Sequence, residues 1–218
     1  MTFDEIVAAC RGCGLDIVGG FHPGAGDRVP EGCATLLLLG PREPGFWARI
    51  TASPEGAGPD PVDRWSARVI GALAADLGAR PLFPFGGPPH HPFVAWARQS
   101  GRAWDSPVGL LVHERAGLMI SFRGALAFAR RLPLPAAPAA RPCDGCTSRP
   151  CLTACPAGAL TGAGYDLPAC HRFLDSPSGA VCMEGGCRVR EACPLSRNHG
   201  RLAAQSAHHM RSFHRGRR

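Results

Sequence analysis

The amino-terminal part of the chain alternates between helical and extended hydrophobic patterns. Thr2 followed by Glu5 matches a capping box, and it predicts a helix that continues to about Cys13. The apolar stretches at residues 15–21 and 33–39 have the length and composition of half-buried or buried strands. A mixture of helices and strands is therefore expected from the start of the chain.

A long amphipathic helix is expected after the glycine- and proline-rich loop of residues 53–59. Asp60 can cap this helix and Pro61 can occupy its first turn, whereas Gly78 is placed to end it. Its apolar face repeats at helical spacing and consists of Val62, Trp65, Val69, Leu73 and Leu77.

Shorter segments extend the mixed pattern to residue 131. Residues 82–85 predict a short strand, and residues 92–100 predict a helix. Residues 108–112 and 118–128 predict two further strands joined by a short connection. Residues 1–131 are therefore expected to form an α+β domain.

The composition changes after this domain. Residues 132–142 are rich in proline, which favours extended backbone and predicts a linker. Three of the 11 cysteines precede residue 140, and the other eight lie within residues 143–200, the expected second domain. Residues 201–218 are a basic tail, for which a solvated, partly disordered end is favoured over a docking site for an acidic partner or nucleic acid.

Disulfides, zinc and iron-sulfur clusters are the three explanations for so many cysteines. Asp4 and Glu5 stand where a secretory signal peptide needs basic residues, so a cytoplasmic location is expected. A reducing cytosol disfavours disulfides. The longest apolar run, residues 34–39, is far shorter than the roughly 18 residues that span a bilayer, so a soluble protein that does not enter the membrane is expected.

The spacing of the last eight cysteines favours iron-sulfur clusters over zinc. Intervals of two, four and three residues separate the first four thiols, and each group of four ends in Cys-Pro. Two groups of four supply the thiolates for two 4Fe-4S clusters. Paired zinc sites also use eight thiolates and remain the main alternative. The groups are Cys143, Cys146, Cys151 and Cys155, then Cys170, Cys182, Cys187 and Cys193.

The first run resembles that of bacterial two-cluster ferredoxins, in which the middle interval is two residues rather than four. In those proteins the last cysteine of each group binds the other cluster. This resemblance implies one cluster held by Cys143, Cys146, Cys151 and Cys193, and a second held by Cys155, Cys170, Cys182 and Cys187.

The positive net charge of the chain is weak evidence for nucleic-acid binding. All 24 basic residues are arginines, and the formal net charge is +7. Two oxidised cubanes, each with four thiolates and a charge of about −2, would reduce this to about +3. Nucleic-acid binding is therefore the least favoured function.

The cysteine-rich segment, residues 143–194, also resembles the cluster domain of epoxyqueuosine reductase, a cobalamin-dependent tRNA-modification enzyme. The resemblance includes residues 165–174, which read YDLPACHRFL. Upstream, residues 106–113 and 121–125 resemble the corrinoid-binding domain of that enzyme family. Residues 60–65 resemble the animal cobalamin-trafficking chaperone, whose fold is related to flavin nitroreductases.

This resemblance implies a nitroreductase-related mixed α/β sandwich followed by a small two-cluster bacterial ferredoxin-like domain. It also implies that the first domain binds cobalamin or flavin, with Gly109, His113 and Arg123 at the cofactor. Where the reductase has Asp-Thr-Ala-Pro, whose aspartate is its proposed proton donor, residues 85–89 read FGGPP. A general acid needs a proton to donate, so no catalytic residue is assigned.

Three other features have both a structural and a functional interpretation. Cys10 and Cys13 are spaced like a redox pair, although packing is the favoured role on a helix. His90 and His91 are candidate corrinoid or metal ligands, with ordinary surface residues as the favoured alternative. Residues 86–87, both glycine, would allow close approach to a flat cofactor or simply form a turn.

These observations predict an electron-transfer protein with two 4Fe-4S clusters, which delivers electrons to a cofactor of its first domain or to a redox partner protein. The alternative is a cobalamin-binding chaperone or reductase. Oxidoreductase activity is compatible with both, and neither the donor nor the acceptor follows from the residues.

Overall fold

The structure is a computed structural model and describes residues 1–215 of the chain. It mixes helices with short strands and divides into two compact units. The first unit consists of Met1–Ala103 and Ser121–Pro138, and the second consists of Trp104–Ile120 and the residues from Ala139 onward. The expectation of a protein with mixed α and β structure is confirmed at this level.

The first unit contains an antiparallel sheet of four strands among the described residues, in the order β1-β2-β6-β3. Its strands are β1 (Leu15–Phe21), β2 (Thr35–Pro41), β3 (Arg80–Leu82) and β6 (Gly124–Phe128). Its helices are α1 (Phe3–Gly12), α2 (Phe46–Thr51), α3 (Pro61–Leu77) and α4 (Phe93–Gln99). Every residue of the central strand β2 is buried, and its Leu37 and Leu39 pack in a core cluster with apolar residues of α1, α2 and α3.

The helix ends of the first unit show how local sequence sets structure. The predicted capping box is confirmed, since the backbone N–H of Glu5 donates to Thr2 Oγ1 and the N–H of Thr2 donates to Glu5 Oε2 at 2.6 Å. Gly78 ends α3 in the left-handed conformation, with φ +62°, as expected. Asp60 occupies the N-cap position of α3 and Pro61 its first turn, as expected, but the Asp60 side chain makes no capping hydrogen bond.

The second unit is built from short elements. Its strands are β4 (Ala103–Asp105, whose first residue belongs to the first unit), β5 (Leu111–His113), β7 (Leu160–Thr161) and β8 (Gly164–Tyr165). Its helices are α5 (Leu167–Leu174), α6 (Ala180–Gly185), α7 (Arg188–Ala192), α8 (Pro194–Arg197) and α9 (Ala203–Arg215). The strand expected at 118–128 begins only at Gly124, and the strand expected at 108–112 is displaced to Leu111–His113.

The boundary expected at residue 131 differs from this division, because residues 104–120 belong to the cysteine-rich unit. Val108, Val112 and Leu118 pack in one hydrophobic cluster with Leu160 and Val189. The expected linker differs as well, since Leu132 is buried in the core of the first unit.

The expectation of a partly disordered tail is wrong for Ala203–Arg215, which form helix α9. Ala207 and Met210 are buried, and Met210 packs with Leu174 and Cys182. The basic residues Arg217 and Arg218 lie outside the described residues. No helix within residues 1–215 combines the length and the apolar character that crossing a membrane requires.

Candidate metal centres in the cysteine-rich unit

The first group of thiols that the fold brings together is drawn from both cysteine runs. Burial raises the pKa of Cys143, and the nearby thiols of Cys151, Cys193 and Cys146 raise it further. Burial also raises the pKa of Cys151, with further contributions from Cys193 and Cys146. These four thiols therefore share one electrostatic environment. They are Cys143, Cys146, Cys151 and Cys193, and we call them the first thiol group.

Short backbone turns position this first thiol group. The N–H of Cys146 donates to the carbonyl of Cys143 at 3.3 Å, which folds the CxxC segment into a turn. Cys151 lies in the 3-10 turn Pro150–Leu152, and Cys193 lies between α7 and α8. The single-residue junction at Cys193 lets the chain change direction directly before Pro194, which starts α8.

The remaining four cysteines form a second electrostatic neighbourhood. Burial raises the pKa of Cys182, and the thiols of Cys187, Cys155 and Cys170 raise it further. The pKa of Cys170 is likewise raised, first by burial and then by Cys187 and Cys155. We call Cys155, Cys170, Cys182 and Cys187 the second thiol group.

The fold therefore exchanges the last cysteine of each run. Cys155 ends the first run but lies with the second thiol group, and Cys193 ends the second run but lies with the first. This is the partition that the ferredoxin resemblance implies. The role of each thiol as a ligand stays a prediction, since what the structure gives is their grouping.

Each thiol group supplies four thiolates, which is the number of protein ligands that a 4Fe-4S cluster needs. Among the described residues, no group of three or more His, Cys, Asp or Glu side chains is placed to hold one metal ion.

Apolar side chains surround both thiol groups. Val108, Val112 and Leu118 belong to a cluster that holds Cys143, Cys151 and Cys193 of the first thiol group, and Cys155 and Cys187 of the second pack against it as well. A further cluster covers the second group, in which Cys182 packs against Leu174 and Met210 with Cys170 and Cys187 alongside. Low polarity and exclusion of water are among the means by which proteins adjust iron-sulfur chemistry.

Gly117 approaches the first thiol group more closely than any side chain would permit. It has φ +56°, and a Cβ at this position would lie 2.6 Å from the backbone nitrogen of Ser196 and 3.0 Å from Cys193 Sγ. Only glycine combines the left-handed conformation with this close approach. Gly117 is a structural residue of the site that sequence reasoning missed.

Tyr165 and Arg190 lie beside the second thiol group and were also missed. The hydroxyl of Tyr165 donates to Cys170 Sγ at 3.4 Å, and burial followed by this hydrogen bond raises the pKa of Tyr165. Arg190 donates from Nη1 to the carbonyl of Leu118, and its guanidinium interacts electrostatically with Cys187 and Tyr165. The only sequence signal was the position of Arg190 between two cysteines.

A cavity of about 280 Å³ lies beside Cys143. Its lining includes the Trp104 and Val112 side chains, together with the exposed residues Asp144 and Arg149. Cys143 is the one cysteine in its wall. Within the first thiol group, Cys143 is therefore the residue that borders this cavity.

The residues expected at a corrinoid or flavin have structural partners. Arg123, in the first unit, pairs with Asp63 at 3.3 Å; burial lowers its pKa and Asp63 opposes this. His113, in the second unit, is buried and accepts hydrogen bonds at Nδ1 from the N–H groups of Arg115 and Ala116, both at 3.2 Å. Gly109 forms a turn with φ +74°. The fold thus divides the three residues between the two units.

The remaining candidates lie in the first unit. Cys10 is fully buried, and burial, followed by the charges of Cys13 and Asp16, raises its pKa to about 12, which favours packing over redox chemistry. The ring of His91 stacks on Trp96, with centroids 5.5 Å apart. His90 lies against Gly87, where an added Cβ would approach its ring to 2.5 Å.

Comparison with protein-family models, with curated proteins and with solved structures finds no match to this chain. The function is therefore inferred from the thiol groups and their surroundings.

Proposed function

We propose that this protein is a cytoplasmic electron carrier with two 4Fe-4S clusters, one on each thiol group. The observation that carries the proposal is the grouping of eight cysteines into two sets of four, with Cys155 and Cys193 exchanged between the runs. A bound cubane supplies reversible one-electron chemistry. The proposed finer fold is a ferredoxin-like unit joined to a nitroreductase-related unit.

The chain's own residues have separate tasks in this proposal. The eight thiolates hold the irons, and the apolar cluster around Val108, Val112 and Leu118 limits the access of water to the first thiol group. Helix α9 does the same for the second thiol group through Met210. Gly117 permits the close packing that keeps Cys193 beside the first-run cysteines.

The acceptor is proposed to be a redox partner protein or a cofactor of the first unit. Binding of cobalamin or flavin there receives less support, because Arg123 is paired with Asp63 and because His113, whose Nδ1 atom accepts hydrogen bonds within a turn, belongs to the second unit. Adding cob(II)alamin to the reconstituted protein checks this point, since a base-off shift in its visible spectrum would restore corrinoid binding as a candidate function.

The decisive experiment measures iron and acid-labile sulfide per chain after anaerobic reconstitution, with EPR spectra before and after reduction by dithionite. The proposal expects about eight of each, and EPR signals that appear on reduction. Four of each would leave one thiol group without a cluster and would require a revised ligand assignment. Stoichiometric zinc, or a colourless protein silent in EPR, would overturn the proposal.

A further inference from the structure

The two thiol groups differ in the charges and hydrogen-bond donors that surround them. Charges that act on the first thiol group include the Asp144 carboxylate, which raises the pKa of Cys143, and the Arg149 guanidinium, which lowers the pKa of Cys151. Both side chains belong to exposed residues. Two opposite charges in contact with water largely cancel, and water screens what remains.

The second thiol group has a phenol directed at one of its sulfurs. The Tyr165 hydroxyl donates to Cys170 Sγ at 3.4 Å, and the tyrosine ring stacks with Phe213 of α9 at a centroid distance of 6.5 Å. The hydroxyl group and the ring of Tyr165 are thus both held in place, the hydroxyl at the sulfur and the ring against α9. Hydrogen bonds to cluster sulfurs stabilise the more negative, reduced form.

A partly buried cation lies beside the same group. Arg190 is on α7, three residues after Cys187, and its Nη1 donates to the Leu118 carbonyl at 2.5 Å. Arginine remains protonated in proteins even when burial lowers its pKa. The positive charge therefore acts on Cys187 and Tyr165 from a fixed position in an environment where screening by water is weak.

A third donor reinforces this asymmetry. The backbone N–H of Arg188 donates to the Cys182 sulfur and lowers the pKa of that thiol. The second thiol group thus receives hydrogen bonds at two sulfurs, Cys170 and Cys182, and faces the partly buried cation of Arg190. In the first thiol group, Cys151 receives a hydrogen bond from its own backbone N–H.

We propose that Tyr165 and Arg190 raise the reduction potential of the centre bound by the second thiol group above that of the first. This inference rests on the proposed function. An added electron is then held preferentially at the second thiol group, where the phenol and the guanidinium compensate the extra negative charge. Tyr165 and Arg190 do not bind iron in this proposal. They act through Cys170 and Cys187 and change the reduction potential of the centre that these thiols hold.

The experiment is a potentiometric titration of the full chain, reconstituted anaerobically and followed by EPR. The variants are Tyr165→Phe, which deletes only the hydroxyl, and Arg190→Gln, which removes the charge. The matched control is Arg188→Gln, which removes the same charge from the same helix at a side chain that pairs with Glu191. A Cys143→Ala variant, which lacks one ligand of the first thiol group, assigns the two reduction steps.

The proposal expects two steps in the wild type, with only the higher step remaining in Cys143→Ala. Tyr165→Phe and Arg190→Gln move the higher step to lower potential and leave the lower step unchanged, and Arg188→Gln moves neither appreciably. Retention of the lower step in Cys143→Ala overturns the proposal, as does a Tyr165→Phe titration identical to that of the wild type.

Two further outcomes keep this inference separate from the proposed function. If the wild type binds no iron, the electron-carrier function itself fails. If both clusters are present but the variants do not shift the higher step, only the tuning by Tyr165 and Arg190 fails. Tyr165→Phe preserves the ring that packs on Phe213, so it tests the proposal even if Arg190→Gln binds no iron.

Discussion

The hydroxyl oxygen of Ser196 accepts a hydrogen bond from the backbone N–H of Leu118 at 2.9 Å. The two residues are far apart in sequence, and the bond joins the turn before Leu118 to the segment that carries Cys193. Gly117, one residue before Leu118, lies against the same segment. A stretch without cysteines thereby helps to position a thiol of the first group.

Replacing Gly117 with alanine is therefore expected to disrupt the first thiol group. The new methyl group would lie 3.0 Å from Cys193 Sγ, and the segment carrying this thiol would have to move. We expect reconstituted Gly117→Ala to contain about four iron atoms per chain instead of about eight. Iron and sulfide analysis measures the change, and the EPR signal of the second thiol group should persist.

Gly158→Ala is the matched control for this substitution. Gly158 has φ +60°, close to the φ +56° of Gly117, so alanine is strained at either position by about 1–2 kcal/mol. A Cβ on Gly158 meets nothing within 4 Å. Normal iron content in both variants would show that Cys193 tolerates the displacement and that Gly117 has no special role.

The exchange of Cys155 and Cys193 between the runs predicts which cysteine variants behave alike. Cys143→Ala and Cys193→Ala should each lose the cluster of the first thiol group, and the double variant should lose no more than either single variant. Cys193→Ala combined with Cys187→Ala should lose both clusters. Retention of one cluster by this second pair would mean that each run binds its own cluster, and EPR with iron analysis distinguishes the two results.

Local sequence predicted those elements whose ends are determined by neighbouring residues. The capping box at Thr2 and the glycine at Gly78 specify helix ends through contacts within a few residues, and both were found. Strand β1 also matched its apolar pattern. The sequence predicted a strand longer than β6, because the residues before Gly124 are also largely apolar. Pairing with β2 and β3 includes only residues from Gly124 onward.

The resemblance of the cysteine runs to those of two-cluster ferredoxins implied the grouping of the thiols, but the sequence did not predict the environment of the thiols. Spacing alone cannot indicate that Tyr165 reaches Cys170 or that Leu118 accepts a hydrogen bond from Arg190. These contacts depend on tertiary folding of residues 104–120 onto the cysteine-rich segment. The helix α9 was missed for a similar reason, since its small buried face is stabilised by packing against α6 rather than by strong helical propensity.

Cys10 offers a pH-dependent test of its packing role. Its pKa is raised to about 12, mainly by burial, so the folded protein keeps this thiol protonated where an unfolded chain ionises it near pH 9. Its contribution to stability is therefore complete below about pH 9 and is lost between about pH 9 and 12. At pH 8, iodoacetamide should modify Cys10 about a thousand-fold more slowly in the folded than in the urea-unfolded protein.

Mass spectrometry of the tryptic peptide ending at Arg11 measures this reaction, because Cys10 is its one cysteine. The folded rate should rise about tenfold per pH unit between pH 8 and 10, whereas the unfolded rate levels off above about pH 9. Equal rates at pH 8 would show an accessible thiol and would return Cys10 and Cys13 to consideration as a redox pair.

Helix α9 is expected to protect the second thiol group from chelators. Met210 is buried against Leu174 and Cys182, so Met210→Asp places a carboxylate in an apolar site at a cost of several kcal/mol. Arg211→Asp changes an exposed neighbour and serves as the control.

In the wild type, the cavity beside Cys143 predicts that EDTA in air removes the cluster of the first thiol group before that of the second. Met210→Asp should reverse this order, as followed by the two EPR signals of aliquots that are withdrawn over time and reduced with dithionite. Loss of both clusters at wild-type rates in Met210→Asp would show that α9 does not shield the second thiol group.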